Sequence, residues 1–120
     1  MACRGIRGAI SVAENTEAAI LTATRTLLAG IVAENAMAVA DVACVWFTAT
    51  PDLDAVYPAR AAREMGWTGT PLLCAQEMAV AGSLPRCVRV LVLWNTEVPQ
   101  EAVRHVYLGE ARRLRPDLAH

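Results

Sequence analysis

The chain has 120 residues and a formal net charge of −1, with 55% hydrophobic and only 19% charged residues. That length suits one domain over residues 1–120 with a modest core, and the near-neutral balance offers no footing for nucleic acid or an anionic membrane surface. So apolar a composition in so small a chain predicts that part of the surface is covered by further copies, so a homo-oligomer is expected.

Residues 3–12 (CRGIRGAISV) predict a strand containing two glycines. Asn15-Thr16-Glu17 supplies a helix start, a capping side chain followed by an acid in the first turn. Ile20, Leu21, Leu27, Leu28, Ile31 and Val32 recur at helical spacing as far as Glu34, which predicts a long amphipathic helix. Residues 42–48 (VACVWFT) form an uninterrupted apolar run, predicting a strand buried on both faces and broken by Thr50-Pro51-Asp52. Pro58 opens a short helix over residues 59–65 that Gly66 ends. A third strand is expected over residues 71–76, a turn at Ala81-Gly82-Ser83, and the strongest strand over residues 86–94 (RCVRVLVLW). Residues 99–106 read as a short helix and 108–114 as a weak strand. Arg115-Pro116-Asp117 begins a tail over residues 115–120, ending at His120, that is expected to be flexible. The order β-α-β-α-β-β-α-β defines an α+β fold around a mixed β-sheet with one long and one short helix.

All 11 basic residues are arginine. Four cysteines, Cys3, Cys44, Cys74 and Cys87, form no C-x-x-C pair and lie in apolar stretches, so reduced, buried thiols are expected. Arg4 and Arg7 interrupt a start too weakly apolar for a signal peptide, and no run approaches membrane-spanning length. The cytoplasm is the expected compartment.

Arg89 interrupts the apolar run Cys87-Val88-Arg89-Val90-Leu91-Val92-Leu93. Alternation puts it on the face of Cys87, Leu91 and Leu93. A buried guanidinium cannot shed its proton, so it needs a carboxylate, an interface or a ligand anion. Arg7 poses the same question among small neighbours, Cys3, Gly5 and Ala9, which leave room beside it; Arg4 faces the other way. Glu77 closes the third strand and is a natural counter-ion for Arg89. Tyr107 suits amphipathic packing, and His105 lacks the serine or cysteine motif that would accompany a catalytic base. Cys74 has no positioned base for a thiolate nucleophile. No His/Cys cluster suggests a metal and no glycine-rich phosphate loop a nucleotide, so no cofactor is expected. Inward-aimed arginines without acid–base machinery suit an anionic ligand and a reaction with little proton transfer.

Six blocks taken together, Arg4-Gly5-Ile6-Arg7-Gly8-Ala9, Ala49-Thr50-Pro51-Asp52-Leu53, Cys74-Ala75-Gln76-Glu77-Met78, Arg86-Cys87-Val88-Arg89-Val90, Arg104-His105-Val106-Tyr107-Leu108 and Leu114-Arg115-Pro116-Asp117-Leu118, resemble the chorismate mutases of the trimeric α/β-barrel (AroH) class. The resemblance spans nearly the whole chain in order. It implies a homotrimeric pseudo-α/β barrel with active sites in clefts between subunits, and the rearrangement of chorismate to prephenate on the route to phenylalanine and tyrosine. It also implies that Arg7 and Tyr107 hold a substrate carboxylate, that Arg89 reaches the ether oxygen of the breaking bond, and that Glu77 accepts from the ring hydroxyl. Leu73, Cys74 and Ala75 line the pocket on this reading, together with Gln76 of the same block. Tyr57, Ala59, Arg60 and Arg63 face the site from an adjacent subunit. Tyr57 stands where the family usually has phenylalanine, and Leu73 where a polar residue is common.

Cys74 and Glu77 lie three apart, so a regular strand sends them to opposite faces, and the simplest reading is two different pockets at a subunit interface. The competing reading from another class is a trimer of similar architecture that binds a metabolite without catalysis or deaminates imines.

Overall fold

The computed structural model describes residues 1–117; the end of the predicted tail, residues 118–120 with His120, lies outside the described residues. Strand β1 spans Ala2–Ser11. Helix α1 spans Glu17–Asn35 and starts as the sequence predicts: Thr16 is extended and its Oγ1 accepts from Ala19 N at 3.1 Å. Ile20, Leu21, Thr24, Leu27, Leu28 and Ile31 form its buried stripe. Strand β2 is Val42–Ala49, helix α2 Ala59–Glu64, strand β3 Leu72–Gln76, strand β4 Cys87–Thr96 and strand β5 Val106–Leu108.

The strands join in one mixed sheet in the order β3-β2-β4-β1-β5. The central pairings β1–β4 and β2–β4 are antiparallel, and the outer pairings β1–β5 and β2–β3 are parallel. The register sorts the side chains into two faces. One face bears Ile6 and Ile10, Val45 and Phe47, and Val88, Val90, Val92 and Trp94, all buried in the main core with α1 and α2. On this face a Cβ added at Gly8 would stand 2.9 Å from Ile31 Cδ1 and 3.0 Å from Val90 Cγ2; the missing side chain lets the helix approach the strand closely.

Two expectations need correction here. β2 is buried on one face only: Val45 and Phe47 are fully covered, whereas Trp46 keeps 49% of its surface exposed. Both helices pack on the same side, so the outer face of the sheet is left without a helical layer. The second concerns the cysteines: only Cys87 is buried, Cys44 and Cys74 are half-buried and Cys3 is exposed, all four free thiols.

The end of the chain also departs from the prediction. In place of a helix over 99–106 there is a single 3₁₀ turn at Gln100–Ala102, and the last strand is Val106–Leu108 rather than 108–114. The Asn35 side chain explains the first difference. It accepts from Arg104 N and donates to Arg104 O, taking the backbone groups that a helix would have used. Gly109 explains the second. Its φ of +61° turns the chain out of β5 into a 3₁₀ turn at Gly109–Arg113. A Cβ there would meet Ser11 Oγ, the acceptor of Glu110 N. Gly109→Ala is expected to destabilise the fold by about 1–3 kcal/mol through left-handed strain and the displaced serine, measured as a lower urea midpoint at unchanged slope.

Candidate active site

The Gly109–Arg113 turn folds over part of the uncovered sheet face, burying Tyr107 with Ala9, Cys87 and Ala111. Beside this cluster, Ala9 is the cross-strand partner of Arg89, and Arg7 that of Leu91. Arg7 and Arg89 are therefore diagonal neighbours on one face, about 7–8 Å apart at the backbone. Alanine between them leaves the space that two guanidinium groups and an anion need. Arg89 is less enclosed than the sequence suggests, with 41% of its side chain exposed. Its Nε is buried and has no hydrogen-bond partner. The reason is again the missing helical layer over this face.

Glu77 lies against Arg89, with Oε2 3.7 Å from Nε, too far for a hydrogen bond. The same oxygen accepts from Thr48 Oγ1 at 2.6 Å. Thr48 thus orients the carboxylate beside Arg89. Sequence reasoning missed Thr48. The signal was present in VACVWFT, where it is the polar residue of the run, but only the register, which pairs Thr48 with Arg89, gives it meaning.

The Ala49-Thr50-Pro51-Asp52-Leu53 block anchors the start of β4. Thr50 Oγ1 accepts from Cys87 N at 2.9 Å and donates to Asp52 Oδ1, while the Asp52 carboxylate accepts from Arg86 N at 3.0 and 3.1 Å. This carboxylate holds Arg86 in a left-handed conformation, φ 45°, three residues before Arg89 and four before Val90 of the core. Farther along, Arg115 forms a fork–fork pair with Asp117 at 2.9 and 3.1 Å. That pair, chiefly through its hydrogen bonds and with a smaller contribution from Arg7, holds the Asp117 carboxyl below the ordinary carboxylate range.

The other predicted residues form a second group. A cleft of about 570 Å³ opens between β3 and the segment before α2, and Tyr57, Arg60, Cys74, Ala75 and Gln76 line it. Arg63 stands on α2 near the Cys74 thiol. Tyr57 is 72% exposed. Arg60 is already engaged, bonding Glu17 through Nη1 and Glu64 through Nε. Leu73 points to the outer sheet face, away from this cleft, and is exposed. Cys74 pairs with Phe47 on the helix-covered side, whereas Glu77 reaches the outer face. The two groups of residues are thus separated by the sheet within one chain, as the three-residue spacing predicts.

Burial pushes the Cys74 thiol up, against a smaller opposing pull from Arg63, so no thiolate is poised at neutral pH. Among the described residues no His, Cys, Asp and Glu cluster has metal-holding geometry, and no helix is long and apolar enough to cross a membrane.

A five-stranded mixed sheet with helices on one face and Arg7 and Arg89 together on the other defines the class, an α+β protein. A family model described as chorismate mutase type I matches residues 3–118. Chorismate mutase AroH of Thermus thermophilus is 56% identical over 116 residues, 96% of this chain and 95% of that protein. Chorismate mutase AroH of Bacillus subtilis (strain 168) is 49% identical over 120 residues, 99% of this chain and 94% of that protein. A solved chorismate mutase from Clostridium thermocellum superposes with a TM-score of 0.90 at 43% identity, covering 91% of this chain and 97% of that one. The chain belongs to the type I chorismate mutase family.

Loss of a covalent nucleophile typically costs at least about 10⁴-fold in turnover. Cys74→Ser is expected to fall far short of that in a steady-state assay with chorismate, because burial raises the thiol's pKa and leaves no thiolate to attack.

Proposed function

We propose that the protein is a chorismate mutase that isomerises chorismate to prephenate, for phenylalanine and tyrosine biosynthesis in the cytoplasm, with no cofactor. The observation that carries this reading is the Arg89 guanidinium, with a buried, unpartnered Nε beside a Glu77 carboxylate committed to Thr48. The side chain as a whole is 41% exposed and open to a ligand oxygen.

The rearrangement is unimolecular. One carbon–oxygen bond breaks as one carbon–carbon bond forms, and no proton need move. A protein can accelerate it by holding the flexible enolpyruvyl arm over the ring. It can also stabilise the negative charge that grows on the ether oxygen when bond breaking runs ahead. In the proposed site Arg89 meets that oxygen, Arg7 and Tyr107 hold a carboxylate, and Glu77 accepts from the ring hydroxyl. Arginine suits the first task because its planar fork presents fixed donors and its charge does not vary with pH. An acceleration of about 10⁶-fold requires about 8 kcal/mol, and a fixed cation in a site closed from water can supply several of those.

The site is completed, on this reading, across a subunit interface in a homotrimer. Two features support it. Leu73, Trp46 and Leu91 are neighbours across β3, β2 and β4 and leave 51%, 49% and 40% of their surface exposed, an apolar strip that a second copy would cover. The sheet also separates Tyr57, Arg60, Arg63, Cys74 and Gln76 from Arg7, Glu77, Arg89 and Tyr107, so their convergence on one substrate needs two chains.

Purified protein without added cofactor is expected to deplete chorismate absorbance in the ultraviolet. Binding without depletion would favour a non-catalytic trimer instead. Arg89→Lys is expected to lower kcat by about 10²–10³-fold, the scale of losing a transition-state donor, with a much smaller change in KM; near wild-type turnover would refute placement of the cation as the source of catalysis. Mixed oligomers of an Arg63→Ala chain and a Glu77→Ala chain, each inactive alone, should regain activity at hybrid interfaces, whereas consistent failure to complement indicates a site within one subunit.

A further inference from the structure

Strand β5 pairs with β1 only at Gly8, Ala9 and Ile10. The first half of β1 therefore runs past the end of its neighbour, and the backbone groups of Gly5 and Arg7 on that side need other partners. Two side chains supply them. The Gln100 carboxamide accepts from Gly5 N through Oε1 at 2.9 Å and donates to Gly5 O through Nε2 at 2.8 Å. This reproduces the paired exchange of a neighbouring strand residue. The His105 ring accepts from Arg7 N through Nδ1 at 2.9 Å. Only an unprotonated ring nitrogen can accept, so this bond requires Nδ1 without a proton. The base of this arrangement is itself tied down. Asn35, at the end of α1, accepts from Arg104 N at 2.9 Å and donates to Arg104 O at 3.0 Å, next to His105.

We propose that His105 and Gln100 are positioning residues for Arg7. Their side chains continue the sheet where β5 stops, and so fix the backbone from which Arg7 reaches a substrate carboxylate. The inference rests on the reading of Arg7 as a substrate-binding arginine. A carboxylate far from the breaking bond is held equally in the ground state and the transition state, so loosening its arginine raises KM and spares kcat. That signature is opposite to the one expected for Arg89. A purely structural strand clamp would lower stability and leave KM unchanged.

The decisive comparison is His105→Leu against His105→Asn in the full chain. Leucine fills space without an acceptor, whereas asparagine places Oδ1 where Nδ1 stood. His105→Leu is expected to raise KM for chorismate by about tenfold, the scale of one lost hydrogen bond in a fixed site, with kcat nearly unchanged. His105→Asn should remain close to wild type. Hydrogen exchange read by nuclear magnetic resonance should show the Arg7 amide protected in the wild type and the asparagine variant and fast in the leucine variant. Unchanged KM in a folded His105→Leu protein overturns the proposal, as does an asparagine variant impaired as much as leucine. Should the leucine variant not fold, two other measurements decide. Gln100→Leu must show the same rise in KM, and the wild-type ring nitrogens must show Nδ1 unprotonated at neutral pH; either result to the contrary overturns it. A wild-type protein that does not convert chorismate would remove the functional reading instead, and Arg7 amide exchange would still report on the clamp.

Discussion

Both helices lie on one side of the five-stranded sheet, and the rest of the molecule is organised by that asymmetry. The covered face holds the apolar core of Ile6, Val45, Phe47, Val88 and Val92, each fully buried. The other face has no helical layer of its own. It can hold charged side chains at modest desolvation cost, and it can present apolar ones to another copy. Arg7, Arg89, Thr48 and Tyr107 occupy the same face as Leu73, Trp46 and Leu91. The charged side chains and an exposed apolar strip thus share one surface.

On that surface Arg89 and Glu77 stand close without closing onto each other. Thr48 holds the Glu77 carboxylate, and the carboxylate stands just beyond hydrogen-bond reach of Arg89 Nε. A tighter pair would neutralise the arginine and leave little for a ligand; a missing carboxylate would leave the cation without a fixed neighbour. The supporting bonds come from chain segments with no chemistry of their own. Asp52 and Thr50 fasten the start of β4 behind Arg89, and Gln100 and His105 fasten β1 behind Arg7. Positions set this way on strands are stiffer than positions on loops, and a reaction accelerated by geometry and fixed charge depends on that stiffness.

Much of this was legible in the chain. Thr16 and Glu17 announced the start of α1, its apolar spacing announced the buried stripe, and RCVRVLVLW announced the strongest strand. Alternation correctly set Arg89 with Cys87 and Leu91, Arg7 with Ala9, and Cys74 opposite Glu77. The failures have equally local causes. Residues 99–106 have helix-forming composition, yet Asn35, 69 residues away from Arg104, takes the backbone groups concerned. VACVWFT reads as doubly buried because an uncovered apolar face and a covered one look alike in sequence. Thr48 passed unnoticed because its partners, Glu77 and Arg89, are remote in the chain.

The amino-acid sequence by itself therefore determined the first four strands, both helices, the cap of α1 and which side chains share a strand face, since each depends on neighbours within a turn or two. Only the tertiary structure decided which face the helices cover, that Thr48 meets Glu77 across 29 residues, and that His105 meets Arg7 across 98. Register and coverage come from packing among distant segments, and no local periodicity encodes them.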